Sequence, residues 1–306
     1  MDIRQLQAMI TLINSDFSVS AAAQQLFLVQ SAVSQQLKRL EQELGTPLFV
    51  RKGKRLTGLT ELGSQVERQA REILTGVSNI QLMAEDHLKL ALGVLRIGCT
   101  HTQARYILPP VIRAFNRTYP AIELQIHQGN PQQLVEWAGN DRVDFSICTE
   151  ELGQSSKLEN IPCYQWNRSL ITLPDHPLQA IRKPTLEDLC AYPIITYVVG
   201  FTGRQHFNSI FAEARLQPNI VLSAADTDII KAYVLDGLGI GVIASMSYDK
   251  NFDASLKRLD LSHLFPWETT RIAYLKNKYI RRYQQTFIDL FMATIRDERS
   301  DRFRPC

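Results

Sequence analysis

The chain has 306 residues, 45% hydrophobic and 21% charged, with a formal net charge of +3. That length exceeds one ordinary core and predicts two or three domains. No apolar run approaches the roughly 20 residues of a spanning helix and no apolar block opens the chain, so a soluble, cytoplasmic protein without a membrane partner is expected.

Five cysteines (Cys99, Cys148, Cys163, Cys190, Cys306) without a CxxC pair predict free thiols, and scattered histidines without HExxH predict no metal site. The charge excess sits at one end. Residues 1–60 carry Arg4, Lys38, Arg39, Arg51, Lys52, Lys54 and Arg55 against Asp2, Asp16, Glu41 and Glu43, while the remainder is balanced, so an anionic polymer would meet the N-terminal end.

Ile3, Leu6, Ile10 and Ile13 recur at helical spacing, Asn14-Ser15-Asp16 closes that helix, and Ser18 caps the next. Two short helices follow: Val19, Ala23 and Leu26 line one face of the first, and Val33, Leu37, Leu40 and Leu44 line the second. Phe27-Leu28-Val29 makes a tight apolar turn between them, and Ala21-Ala22-Ala23 lets two helices cross closely, as a helix-turn-helix requires. The opposite face of the second helix carries Ser31, Ser34, Gln35, Lys38 and Gln42. Ser and Gln can hydrogen-bond base edges in a major groove and Lys can meet a phosphate; an ordinary solvated helix face has the same composition.

Next, "PLFVRKGKRL" places Arg51, Lys52, Lys54 and Arg55 around Gly53, a cationic hairpin tip between apolar anchors. Beside a helix-turn-helix it reads as a wing that presses on phosphates, against the plainer reading of a charged loop. The stretch "SAAAQQLFLVQSAVSQQLKRLEQELGTPLFVRKGKRLTGLTELG" resembles the winged helix-turn-helix of LysR-type transcriptional regulators over residues 1–65, with Gln30-Ser31 where the family commonly has Gln-Pro.

From Thr60 to about Asp86, Leu62, Val66, Ala70, Ile73, Val77, Ile80 and Ala84 form a coiled-coil seam. Dimerisation is the expected use, since a two-fold pair matches palindromic half-sites. A helix lying on its own domain is the alternative, because Gly63 and Gly76 weaken the seam.

After Leu92-Gly93, "VLRIGC", "ELQIHQ", "DFSICT", "PIITYV", "IVLSA" and "IGVIAS" read as strands, alternating with helices near 103–117, 204–216 and 227–237. This predicts an α/β arrangement with a mainly parallel sheet, in which "RSLITLP" crosses into a second lobe and "RIAYLKN" returns to the first. Thr100 would then end a strand and Gln103 begin a helix, so that Thr100, Thr102, Gln103 and free backbone N–H groups face the cleft. A helix start binds anions without a cation, and simple N-capping by threonine is the alternative. Thr149 and Thr202, the latter followed by Gly203-Arg204, repeat the device.

"THTQARY", "DFSICTE", "PCYQWNRS", "GFTGR" and "DTDIIKAYVLDGLGIGVIASM" are similar to the CysB-type branch of LysR regulators, over residues 1 to about 295. The resemblance implies a winged helix-turn-helix DNA-binding domain at 1–59, a linker and dimerisation helix at 60–90, and a two-lobed, periplasmic-binding-protein-like effector domain at 91–306. Lobe I is expected at about 91–162 and 266–306, and lobe II at about 163–265. It also implies control of sulfur assimilation and cysteine biosynthesis genes, or, in a close relative, of organic sulfur use under sulfate scarcity.

The effector it implies is sulfate, thiosulfate, O-acetylserine or N-acetylserine, held by Thr100, Thr102, Gln103, Thr149, Trp166 and Thr202. Promoter DNA, a dimer of dimers and RNA polymerase are the implied partners, with no cofactor. An enzyme is disfavoured. "GLGIG" follows a helix and precedes a strand, the reverse of a dinucleotide loop; there is no GxSxG or Walker motif, and His101 shows no partner.

Overall fold

In a computed structural model, residues 1–53, 55–88, 93–201, 203–297 and 303–305 are described. The chain divides into two compact units, Met1–Leu90 with Asn277–Tyr279, and Ala91–Lys276 with Ile280–Cys306.

In the first unit, α1 (Ile3–Asn14) opens on a capping box between Asp2 and Gln5. Then α2 (Val19–Gln25) is capped by Ser18, whose Oγ accepts the Ala21 N–H. Phe27, at φ 53°, turns the chain into α3 (Gln30–Leu44), which stops at Gly45 in the left-handed conformation. Leu6, Met9, Leu12, Ala22, Ala23, Val33, Leu37 and Leu40 bury one shared core, and each large aliphatic side chain there contributes about 1.5–3 kcal/mol. Ala22 and Ala23 lie in that core where α2 packs on its neighbours, as a close crossing needs.

The hairpin β1 (Phe49–Lys52) and β2 (Arg55–Leu59) follows, antiparallel, anchored by buried Leu48, Phe49 and Leu56. The helix α4 (Glu61–His87) is capped by Thr60. Its expected seam divides. Val66 and Ala70, joined by Leu74, pack on the winged core, whereas Leu62, Ile73 and Ile80 are exposed, so one face of the helix lies on its own domain and another presents an apolar stripe. Gly63, read from sequence as a weakness, is a packing requirement: a Cβ there would stand 2.1 Å from the Leu48 carbonyl oxygen.

The second unit holds two sheets. The chain runs β3 (Gly93–Cys99), α5 (Leu108–Thr118), β4 (Ile122–Gln128), α6 (Pro131–Gly139), β5 (Phe145–Cys148) and β6 (Leu158–Trp166). Next come β7 (Arg168–Thr172), α7 (Leu186–Cys190), β8 (Ile194–Tyr197), α8 (Arg204–Glu213), β9 (Ile220–Ala224), α9 (Thr227–Leu235), β10 (Ile240–Ala244) and β11 (Lys257–Asp260). Last are β12 (Glu268–Leu275), α10 (Arg282–Asp297) and β13 (Phe303–Pro305). One lobe is a six-stranded sheet ordered β13-β6-β12-β5-β3-β4 and the other a five-stranded sheet ordered β11-β7-β10-β8-β9.

The expectation of a mainly parallel sheet is corrected. Among the described residues only β3 with β4 and β5, and β8 with β9 and β10, pair in parallel; the other pairs are antiparallel. Helix-connected units must run parallel, but strands that leave one lobe and re-enter the other arrive without such a crossover, and they arrive reversed.

The second expectation to change is the lobe boundary at 162/163. β6 runs on to Trp166 within the six-stranded sheet, and the crossing to β7 occurs at Asn167. Buried Asn167 ties the two crossovers together: its Nδ2 donates to the Phe265 carbonyl at 2.8 Å and its backbone carbonyl accepts the Ser245 N–H at 2.8 Å.

Candidate functional site

The N-terminal unit presents one exposed polar face. Ser31, Ser34, Gln35, Lys38 and Gln42 are all exposed on α3, opposite buried Val33, Leu37 and Leu40. The N-cap is Val29, which makes no side-chain cap, so Ser31 is in the first turn with its hydroxyl not used as a cap. On the hairpin, Lys52 is exposed. Arg51 is less available than its type suggested: its Nη2 donates to Glu41 Oε2 at 2.8 Å, while Glu41 Oε1 also accepts the Leu48 and Phe49 N–H groups. Glu41 thus locks the hairpin to α3 and offsets one cation. Lys54 lies outside the described residues.

In the second unit, Thr100, Thr102, Gln103, Thr149 and Trp166 converge on one small cavity of about 10 Å³, with Glu150 and Met246 completing the wall. Thr202 lies outside the described residues. The parallel pairing of β3 with β5 brings Thr100 and Thr149 side by side, because Cys99 and Cys148 end neighbouring strands. Burial pushes the Cys99 thiol up to about 12 and the Cys148 thiol well above its ordinary value, so both strand-end thiols stay neutral.

The donors are organised by their neighbours. Trp166 Nε1 donates to Thr149 Oγ1 at 3.0 Å, and Thr149 Oγ1 pairs with Thr270 Oγ1 at 3.1 Å. The Tyr164 hydroxyl donates to Gln103 Oε1 at 2.7 Å, which fixes the amide and leaves its nitrogen as the remaining donor. Thr102 hydrogen-bonds the buried Tyr197 phenol of the other lobe, whose pKa is raised first by burial.

Three expectations change here. The helix begins at His101, not Gln103, and the Gln103 and Ala104 N–H groups both donate back to the Thr100 carbonyl at 3.1 Å. Residues Gln103–Ile107 form a π turn, closed by the Leu108 N–H on the Gln103 carbonyl, ahead of Pro109 and Pro110, which have no N–H to continue an α ladder. Thr149 is followed by a three-residue 3-10 turn, Leu152–Gln154, and not by a helix. Trp166, placed in lobe II by the sequence boundary, belongs to lobe I with the other four.

Sequence reasoning placed Thr202, Gly203 and Arg204 at this edge but missed the contacts that the second lobe makes there. Gly203, at φ 70°, starts α8 and donates its N–H to Glu150 Oε1 across the cleft. Arg168 Nη2 donates to the Gly203 carbonyl at 2.7 Å and to Glu268 Oε1 at 2.9 Å, and His206 Nδ1 meets the same carboxylate at 2.8 Å. Only glycine fits at 203, since a Cβ would stand 2.2 Å from Arg168 Nη2. The residue following Thr149 was legible as an acid but not as a cleft-spanning contact.

His101 also has a partner, Asp228 on α9 at 3.6 Å, which Arg105 Nε approaches at 3.4 Å and the Tyr106 hydroxyl contacts. These are bridges from lobe I to lobe II, and they connect residues too far apart in sequence for spacing to reveal.

An outer chamber of about 490 Å³ adjoins the small cavity and shares Thr149 and Glu150 with it. Its walls carry both signs, including Glu151, Glu268, Arg204, His206 and Arg271. Among the described residues no cluster has metal-ligating composition.

A LysR substrate binding domain matches residues 89–296, and a bacterial regulatory helix-turn-helix protein domain of the lysR family matches residues 3–64. The chain belongs to the LysR family. It is a DNA-binding transcriptional regulator of that family and not an enzyme, with a domain that takes a small-molecule effector. This LysR regulator is 40% identical to the HTH-type transcriptional regulator SsuR of Burkholderia cenocepacia, over 95% of this chain and 94% of that protein. It is equally 40% identical to the HTH-type transcriptional regulator CysB of Haemophilus influenzae, over 95% and 90%. The crystal structure of the cofactor-binding domain of the Cbl transcriptional regulator is 41% identical, with a TM-score of 0.63, covering 66% of this chain and 89% of that one. No helix among the described residues is long and apolar enough to cross a membrane.

Proposed function

We propose that this regulator acts in the cytoplasm on promoters of sulfur assimilation and cysteine biosynthesis genes. Ser31, Ser34, Gln35 and Lys38 of α3 read the major groove; Arg51, Lys52 and Lys54 of the hairpin hold phosphates. The effector is a small sulfur-pathway metabolite, sulfate, thiosulfate, O-acetylserine or N-acetylserine. It is held by Thr100, Thr102, Gln103, Thr149, Trp166 and Thr202.

The observation that carries this reading is convergence. Thr100, Thr102, Gln103, Thr149 and Trp166, from three separate segments of the sequence, line one cavity that contains hydroxyl, amide and indole donors and no lysine or arginine. Such a donor set suits a small oxyanion, which needs hydrogen bonds in a low-dielectric site more than it needs a countercharge.

The exposed stripe of Leu62, Ile73 and Ile80 supports pairing of α4 with a second copy, and a dimer of dimers on DNA follows as the working assembly. Effector binding would act by favouring one lobe arrangement over another, which alters how paired helices meet their half-sites and how RNA polymerase is received.

The likeness to SsuR at the same identity favours a second reading, control of sulfonate use under sulfate scarcity. Sequencing the genomic fragments retained by the purified full-length protein tests both. Fragments upstream of cysteine biosynthesis genes support the first reading, fragments upstream of sulfonate-use genes the second, and enrichment of neither would reject the sulfur assignment.

A further inference from the structure

Glu150 is an acid in a site otherwise built for an anion. It stands between the water-sized inner cavity and the outer chamber, lining both. A cavity of about 10 Å³ holds no more than one water, so an anion with several oxygens cannot occupy it beside Glu150 as it now lies.

The carboxylate is itself the occupant of an anion position: it accepts the Gly203 N–H at the start of α8, where the ten-residue helix presents donors and a positive dipole end. The local charge also opposes a second anion. Arg168 is compensated by Glu268 within the same buried cluster, so an ionised Glu150 adds a negative charge that this pair does not offset.

Resting on the effector reading above, we infer that Glu150 is a built-in competitor for the effector. Its carboxylate holds the Gly203 N–H and ties lobe to lobe in the absence of ligand, and an oxyanion enters the inner cavity by displacing it. Glu150 thereby determines specificity: a ligand must supply an anionic group that outcompetes a carboxylate already in place. A neutral molecule of similar size gains nothing from the exchange. The same displacement breaks one interlobe contact and substitutes another, so occupancy and lobe arrangement change together.

The test uses the full-length protein and two variants, Glu150→Gln and Glu150→Ala. Hydrogen exchange read by mass spectrometry on peptides containing the Gly203 amide reports the contact without any ligand. Calorimetric titration with sulfate, thiosulfate, O-acetylserine and N-acetylserine, each separately, reports competition. The inference predicts faster exchange at Gly203 in Glu150→Ala, and at least about tenfold tighter binding of the recognised anion in both variants, about 1.4 kcal/mol.

Unchanged exchange would show that Glu150 does not hold that N–H and overturns the inference. Unchanged affinity overturns competition, and weaker affinity does too, because Glu150 would then be a ligand contact. If neither the wild type nor the variants bind any of the four while Gly203 exchange still rises in Glu150→Ala, the effector reading fails and the competitor with it. Equal binding by all three proteins sinks the competitor alone.

Discussion

The two units carry opposite chemistry on the faces proposed to meet their partners. The N-terminal unit offers exposed, flexible and partly cationic side chains on α3 and the hairpin, above a core of ordinary aliphatic packing. The C-terminal unit offers buried, neutral donors held by Tyr164, Thr270 and Tyr197, with the acid Glu150 beside them and the paired Arg168 and Glu268 close by. The contrast follows from where each partner is met. A DNA phosphate stays in water and is attracted by screened charge, whereas a small oxyanion taken out of water must have its lone pairs met one by one.

That contrast makes separable predictions. The largest effect is expected at Gly203→Ala. A Cβ at 2.2 Å from Arg168 Nη2, on a backbone at φ 70°, should cost roughly 2–3 kcal/mol in the thermal unfolding of the effector domain. Binding of effector should be lost with it, while promoter affinity measured by anisotropy changes little. Comparable loss of both would show that the units do not work independently.

Gln35→Ala should cost about 1–3 kcal/mol of promoter binding and relax the preference at one base position, read by competition with a substituted operator library. Effector titrations should be unchanged. Thr102→Ala reverses the pattern: effector affinity should fall by about 1 kcal/mol, with ligand-free promoter affinity near that of the parent.

A smaller effect is expected for Lys52→Ala, which should weaken binding to all sequences alike and flatten the salt dependence by about one unit of slope. An unchanged slope would remove the hairpin from the phosphate contacts.

The smallest concerns pH. Burial is the main cause that raises the Glu150 carboxyl above its usual range, with the Gly203 N–H and Arg168 acting in the opposite direction and Glu268 adding to the rise. The folded state therefore holds this proton more tightly than the unfolded chain, and as pH climbs past the ordinary carboxylate value the folded state loses stability from this group. Glu150→Gln should accordingly gain thermal stability over the parent at neutral pH and lose that advantage near pH 4, as checked by calorimetric scans across the range.

How much of this was legible in the sequence follows the same division. The winged domain was readable because local signals carry it: Ser18 as a cap, Leu37 and Leu40 facing inward, and Gly53 at a cationic tip all depend on neighbours a few residues away. In the effector domain β3, β4, β5, β7, β8, β9, β10 and β12 were readable for the same reason, whereas β6, β11, β13, α6 and α7 were not predicted. The ends and the pairings were further exceptions.

The start of the first helix was misjudged because Pro109 and Pro110 act backwards through a π turn, and Trp166 was assigned to the wrong lobe because a strand that continues to a crossover has no local stop signal. The seam of α4 was read as one surface because periodicity alone does not tell which residues lie on the hairpin domain, and Ala70 and Ile73 part company only in three dimensions. Long-range polar contacts were invisible altogether. Glu150 with Gly203, Arg168 with Glu268, and His101 with Asp228 each join distant segments, and the residue types carry no hint of their pairing.

The central claim is that neutral donors in the effector domain capture a small oxygen-rich metabolite while a separate cationic head holds the promoter. Calorimetric titration of the full-length protein and its Thr100→Ala/Thr102→Ala variant with the four candidate effectors, alongside promoter affinity for both proteins, tests it most directly. The account predicts saturable binding of at least one effector by the parent, loss of that binding in the variant, and equal promoter affinity for the two without ligand. Binding that survives removal of both hydroxyls, or promoter affinity that falls with it, would contradict the account.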